Sequence, residues 1–108
     1  MPKRDKGFHD YVLYDLLTGL DGVSSKPMFS GWGVYRNGKI FGIIIEDRLC
    51  LKGNEKTSEV FEAAGGEQFE YEKKSHPKPV KLPYWSVPEE VLEDRERFME
   101  WVDLAIGW

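Results

Sequence analysis

From Phe8 onward, Val12, Leu13, Leu16, Leu17 and Leu20 recur at spacings of three and four, with Asp10, Tyr14 and Thr18 between them. That period puts the apolar set on one side of a helix and predicts a helix over residues 8–20. Asp21-Gly22 supplies the stop. The pattern then changes to that of strands. Pro27 precedes Met28-Phe29-Ser30, and Trp32 to Arg36 leads into Asn37-Gly38. Asn-Gly provides two positive-φ positions at low strain, which a type I′ hairpin turn requires. The Ile-rich run Lys39 to Glu46 returns antiparallel, because β-branched side chains suit a pleated surface. Strict alternation puts Phe41, Ile43 and Ile45 on one face and Ile40 and Ile44 on the other, with Gly42 between. Leu49-Cys50-Leu51-Lys52 is a third strand, after a polar turn at Glu46-Asp47-Arg48.

Asn54 is a strong N-cap for a short helix over Glu55 to Ala64, with Val60, Phe61 and Ala64 inward. Gly65-Gly66 ends it. Phe69 to Glu72 alternates apolar and acidic residues, as a half-buried strand does. Residues 73–81 form a polar loop, and Leu82 to Ser86 returns as a strand. Pro88 suits the first helical position, and Glu89-Glu90 the positive end of the helix dipole. Asp94 restarts the helix, and Phe98, Trp101, Val102 and Ala105 make its apolar stripe. Helices at both ends with strands between them define an α+β class. The expected architecture is an antiparallel sheet of about five strands with the N- and C-terminal helices packed on one face. Residues 1–7 read as a flexible tail and residues 8–108 as a single domain.

Composition narrows the function classes. Lysine plus arginine is 15 and aspartate plus glutamate 19, a net charge of −4 in 108 residues. Aromatics at 14% argue against disorder. The longest apolar run, Ile40 to Ile45, falls far short of the roughly 20 residues of a membrane span. The basic start, Met1 to Gly7, leads into no apolar signal region, and the lone Cys50 cannot form an internal disulfide. A soluble cytoplasmic domain, with no membrane association, is the expectation.

Few residues offer chemistry. Cys50 with His9 or His76 is the only conceivable thiol–imidazole pair. Cys50, however, lies between leucines in a strand, where a thiol is a small buried hydrophobe, and His9 reads as a surface or capping residue. The two histidines stand 67 positions apart with no metal-ligand spacing near them. Gly31-Trp32-Gly33 precedes a hairpin, so it lacks the strand-to-helix context of a phosphate cradle. No catalytic residue, metal site or cofactor is expected. The densest charge is in residues 71–85, where Lys73, Lys74, Lys78 and Lys81 against Glu72 give +3, flanked by Tyr71, Tyr84 and Trp85. Lysines beside aromatics suit single-stranded nucleic acid. Against this, residues 86–108 carry seven acids and two arginines, a net −5.

The run Lys26-Pro27-Met28-Phe29-Ser30-Gly31-Trp32-Gly33-Val34-Tyr35 resembles the N-terminal domain of the TfoX/Sxy competence regulators. So do Gly38, Phe41 and Leu49-Cys50-Leu51-Lys52 after it. Phe69-Glu70-Tyr71, then Tyr84 to Leu92, and finally Trp101 with Ala105, continue the pattern in order over about residues 10–106. Ser30 stands where the pattern has glycine; Trp32 and Cys50 stand where it has tyrosine. The resemblance implies a fold like that of secretion chaperones and a non-enzymatic regulatory or protein-interaction role. Met28, Phe29, Gly31, Trp32 and Gly33 would chiefly shape the first hairpin. The competence regulators carry a second, C-terminal domain, and this chain is expected to stand alone.

The expected function is therefore a regulatory domain with a protein partner. The alternative is nucleic-acid binding through the Lys73–Lys81 loop with Lys74, Lys78 and Trp85. The Ile40–Ile45 run is more apolar than one covered sheet face needs. It points to a homodimer, or a partner, over the second face.

Overall fold

A computed structural model describes residues 6–28, 31–45, 48–71 and 80–107. The chain opens with a helix, α1 (Lys6–Asp10), that widens into a π-helical turn over Tyr11–Leu16. Six strands follow in sequence: β1 (Val23–Met28), β2 (Gly31–Arg36), β3 (Lys39–Ile45), β4 (Arg48–Lys52), β5 (Gln68–Tyr71) and β6 (Val80–Ser86). Helix α2 (Glu55–Ala63) separates β4 from β5, and α3 (Glu89–Leu92) and α4 (Arg95–Ile106) close the chain. All strand pairs are antiparallel, in the order β1-β2-β3-β4-β6-β5. The α+β class is as expected, with six strands where the sequence suggested about five.

The added strand is β1. Its sequence, VSSKPM, is polar and contains Pro27, which an edge strand tolerates because one side of it has no ladder to join. The first helix begins at Lys6, two residues before its expected start, and ends sooner than residue 20. Leu17 N–H reaches back five residues to the Val12 carbonyl at 3.0 Å, and the chain has left the helix by Thr18. Residues 1–5, the bulk of the expected tail, lie outside the described residues.

The hairpin turn has the geometry its sequence requires. Asn37 has φ +52° and Gly38 φ +83°, between the paired Arg36 and Lys39. Two consecutive positive-φ residues match the right-handed twist of the flanking strands. Asn54 caps α2 as expected. Its side chain accepts from the Lys56 and Thr57 amides at 2.8 and 2.9 Å, while Thr57 Oγ1 accepts from the Asn54 amide at 2.8 Å. Pro88 takes the N-cap of α3 instead of its first turn, and Asp94 caps α4 through the Arg97 amide.

The sheet divides two apolar clusters. On one face, Trp32, Val34, Phe41, Ile44, Leu49, Leu51 and Trp85 meet Val12, Leu17, Phe61, Val91, Phe98, Trp101, Val102 and Ala105 from the helices. On the other, Ile43, Cys50 and Tyr84 are buried among half-buried Met28, Ile40, Ile45, Phe69 and Leu82, all strand residues. Alternation along β3 was expected to unite Phe41 with Ile43 and Ile45. Instead Val34 pairs with Gly42 and Tyr35 with Ile40, so Phe41 is an extra residue in β3. This bulge flips the parity at one end. Phe41 joins Ile44 under the helices, and Ile40 joins Ile43 and Ile45 on the far face. A second correction concerns α2. Phe61 is fully buried, whereas Val60 is 48% exposed.

Candidate functional site: a groove between the first and third helices

Where α1 crosses the helix-covered face of the sheet, it leaves a groove of about 460 Å³ against α3. Phe8 and Tyr11 contribute from α1 and its π-helical extension. Arg48 and Leu49 contribute from the start of β4, and Ser86, Val87 and Pro88 from the link between β6 and α3. Glu89, Leu92 and Glu93 complete it. Leu49 and Val87 are buried, and the Val87 amide donates to the Leu49 carbonyl at 2.9 Å, which ties the β6–α3 link to β4. Phe8 and Tyr11 stand with ring centroids 6.1 Å apart. Tyr11 is 40% exposed and its neighbour Tyr14 is 68% exposed. A volume of this size suits a small molecule or one or two side chains.

This groove was not legible in the sequence, because its walls come from residues 8–11, 48–49 and 86–93, which no local motif unites. Nor was the environment of His9 legible there. Expected as a surface or capping residue, His9 is buried and packs on the Trp32 ring at 4.5 Å between centroids. Its Nδ1 lies 2.8 Å from Asp10 Oδ1 and its Nε2 lies 2.8 Å from Ser25 Oγ. A carboxylate only accepts, so Nδ1–H donates to Asp10, and in the neutral ring Nε2 accepts from the Ser25 hydroxyl. Hydroxyl, imidazole and carboxylate in this order resemble a nucleophile with its base and orienting acid. None of the three lines the groove, however. The arrangement acts as a clasp between α1 and the edge strand β1.

Of the residues singled out by sequence, some lie outside the described residues and most of the rest turn inward. Lys73, Lys74 and Lys78 lie outside the described residues, and Lys81 is exposed on β6. Trp85 offers no open stacking face. It is 6% exposed, packs near Phe61, and donates from Nε1 to Glu62 Oε2 at 2.7 Å. Tyr84, its neighbour, is buried on the opposite face, as strand alternation dictates. Burial is the chief cause that raises the Tyr84 phenol above its usual value, with nearby Tyr35 adding to it. The motif residues are packed. Met28 is half-buried on the face that no described helix covers, and Trp32 lies beneath His9. A side chain on Gly31 would collide with the Ile44 carbonyl oxygen, and one on Gly33 would meet the Tyr35 ring at 3.0 Å. Phe29 and Ser30 lie outside the described residues. Cys50 is 7% exposed, and burial pushes its thiol up from 9.0 to about 11, against a smaller lowering by Arg48.

The family model of the TfoX N-terminal domain matches residues 15–107. The chain belongs to the TfoX N-terminal domain family. That match spans β1 to α4 and contains all the motif positions noted in the sequence. No individual curated protein matches the chain. The match leaves out Phe8 and Tyr11, so one wall of the groove comes from residues before the family's matched region. Among the described residues, no helix is long and apolar enough to cross a membrane.

Proposed function

We propose that this TfoX N-terminal domain is a non-enzymatic, cytoplasmic regulatory module that acts by binding a protein partner. The observation that supports it most is the family match across residues 15–107, together with an open groove lined by the exposed ring of Tyr11. Exposed aromatics are enriched where proteins meet. The buried state of Trp85 removes the stacking surface on which a nucleic-acid reading drew. The test is affinity capture from cell extract with and without nuclease. The expected result is one protein partner retained after nuclease treatment. Capture that nuclease abolishes, or that falls steeply with salt, would mean phosphate contacts and overturn the reading.

The reading extends to self-association. The face that no described helix covers keeps Met28, Ile40, Ile45, Phe69 and Leu82 partly open across β1, β3, β5 and β6. A second copy laid on that face would bury them together, and a homodimer is the assembly we propose.

A further inference from the structure

The groove carries an asymmetry of charge that narrows its occupant. Glu89 and Glu93 are four residues apart and lie on one side of α3, both lining the groove. Neither forms an ion pair among the described residues, where Arg48 pairs with Glu67 and the His9 ring contacts Asp10. Arg95, the nearest cation in sequence, is turned away to the Thr18 carbonyl at 2.8 Å. On the β4 side, Arg48 stands 3.8 Å from Glu67. Apolar surface from Phe8, Tyr11, Leu49, Val87 and Leu92 lines the rest of the groove.

We propose that the groove binds a peptide segment of a partner protein that has an apolar anchor flanked by arginine or lysine. The inference deepens the protein-interaction reading and rests on it. The anchor fills the space over Leu49 and Val87, and the basic residue meets Glu89 and Glu93. An arginine also stacks on an aromatic ring such as Tyr11 while its guanidinium pairs with a carboxylate. The net −5 of residues 86–108 draws basic segments toward this end of the molecule. The same charge repels phosphates, so a nucleic acid is the wrong occupant. The free carboxylates stand on the α3 side, so the recognised pattern is an apolar anchor with a basic residue beside it, not a polybasic run.

The experiment uses the full chain and two synthetic peptides. One carries a Leu-Trp anchor flanked by arginines, and the other carries the same anchor flanked by glutamates. Backbone amide NMR is expected to show shifts at Phe8, Tyr11, Val87 and Leu92 with the arginine peptide and none with the glutamate peptide. Glu89→Gln with Glu93→Gln is expected to weaken the arginine peptide about tenfold. Both side chains are exposed, so circular dichroism should show an unchanged fold. Lysine at both positions is expected to reverse the preference. Equal affinity for the two peptides, an unchanged affinity in the variants, or shifts confined to residues outside the groove would each overturn the proposal. Affinity capture with the Gln pair separates it from the broader reading. A partner retained equally by wild type and variant removes the groove and leaves the interaction role standing. A wild-type chain that retains no partner removes both.

Discussion

Cys50 behaves as a small apolar side chain whose thiol happens to titrate. Folding places it opposite Ile43 on one side and Ser86 on the other, in the cluster on the face that no described helix covers. An acid whose value is raised on folding binds its proton more tightly in the native state. Its contribution is fully present below pH 9.0 and is lost as the pH rises toward about 11. Tyr84 has the same sign, and its loss begins above the ordinary phenol value of 10.0. Urea unfolding is therefore expected to show lower stability at pH 10.5 than at pH 8, by on the order of 2 kcal/mol from Cys50. Cys50→Ala should be less stable at pH 8 by about 1 kcal/mol, yet lose less on going to pH 10.5. An identical pH slope in the two proteins would show that Cys50 is not the titrating group. Thiol reagents should react with the native protein only on its unfolding timescale. These consequences were half legible in the sequence. Strand alternation turns Cys50 away from Leu49 and Leu51, but it does not say how completely the strands around the thiol close.

Elements differ in how far their sequence specified them. The β2–β3 turn, the Asn54 cap and the Asp94 restart depend on residues within three positions of one another, and each was readable. Gly38 has open space around it, so only its backbone resists substitution. Gly38→Val should cost about 1 kcal/mol or more through positive φ alone. A fall in melting temperature of about 4–8 °C would report it. Asn54→Ala removes one half of a reciprocal cap and should cost about 1 kcal/mol, measured by urea unfolding. The edge strand β1, the bulge at Phe41 and the exposure of Val60 were not readable. Each is decided by how elements pair and pack, and not by the pattern within one element. β1 exists because β2 accepts it in register, and His9 secures it through Ser25, sixteen residues away. A double-mutant cycle on His9→Ala and Ser25→Ala should return a coupling of about 1 kcal/mol. Additive losses would mean that stacking on Trp32, and not the hydrogen bond, holds α1 to β1.

At the scale of the whole molecule, the two faces of one strand make different demands. Ile44 and Ile45 are adjacent on β3 and point to opposite sides of the sheet. Ile44 is 1% exposed in the helix-covered core. An unpaired carboxylate there has neither water nor a cation, so Ile44→Asp should lose several kcal/mol and leave the chain largely unfolded. Ile45 is half-buried on the face that no described helix covers, and an aspartate at its position keeps contact with water in the single chain. Ile45→Asp should therefore fold with a loss of about 1–2 kcal/mol. In a homodimer the same residue lies within the interface, where a carboxylate from each copy would lose its water among apolar side chains. The expected outcome is a dimer at micromolar concentration for the wild type and a folded monomer for Ile45→Asp, read by sedimentation and circular dichroism together. A wild-type chain that sediments as a monomer and binds no apolar dye would show that the chain's own residues cover this face well enough. The groove between α1 and α3 would then be the surface left for partners.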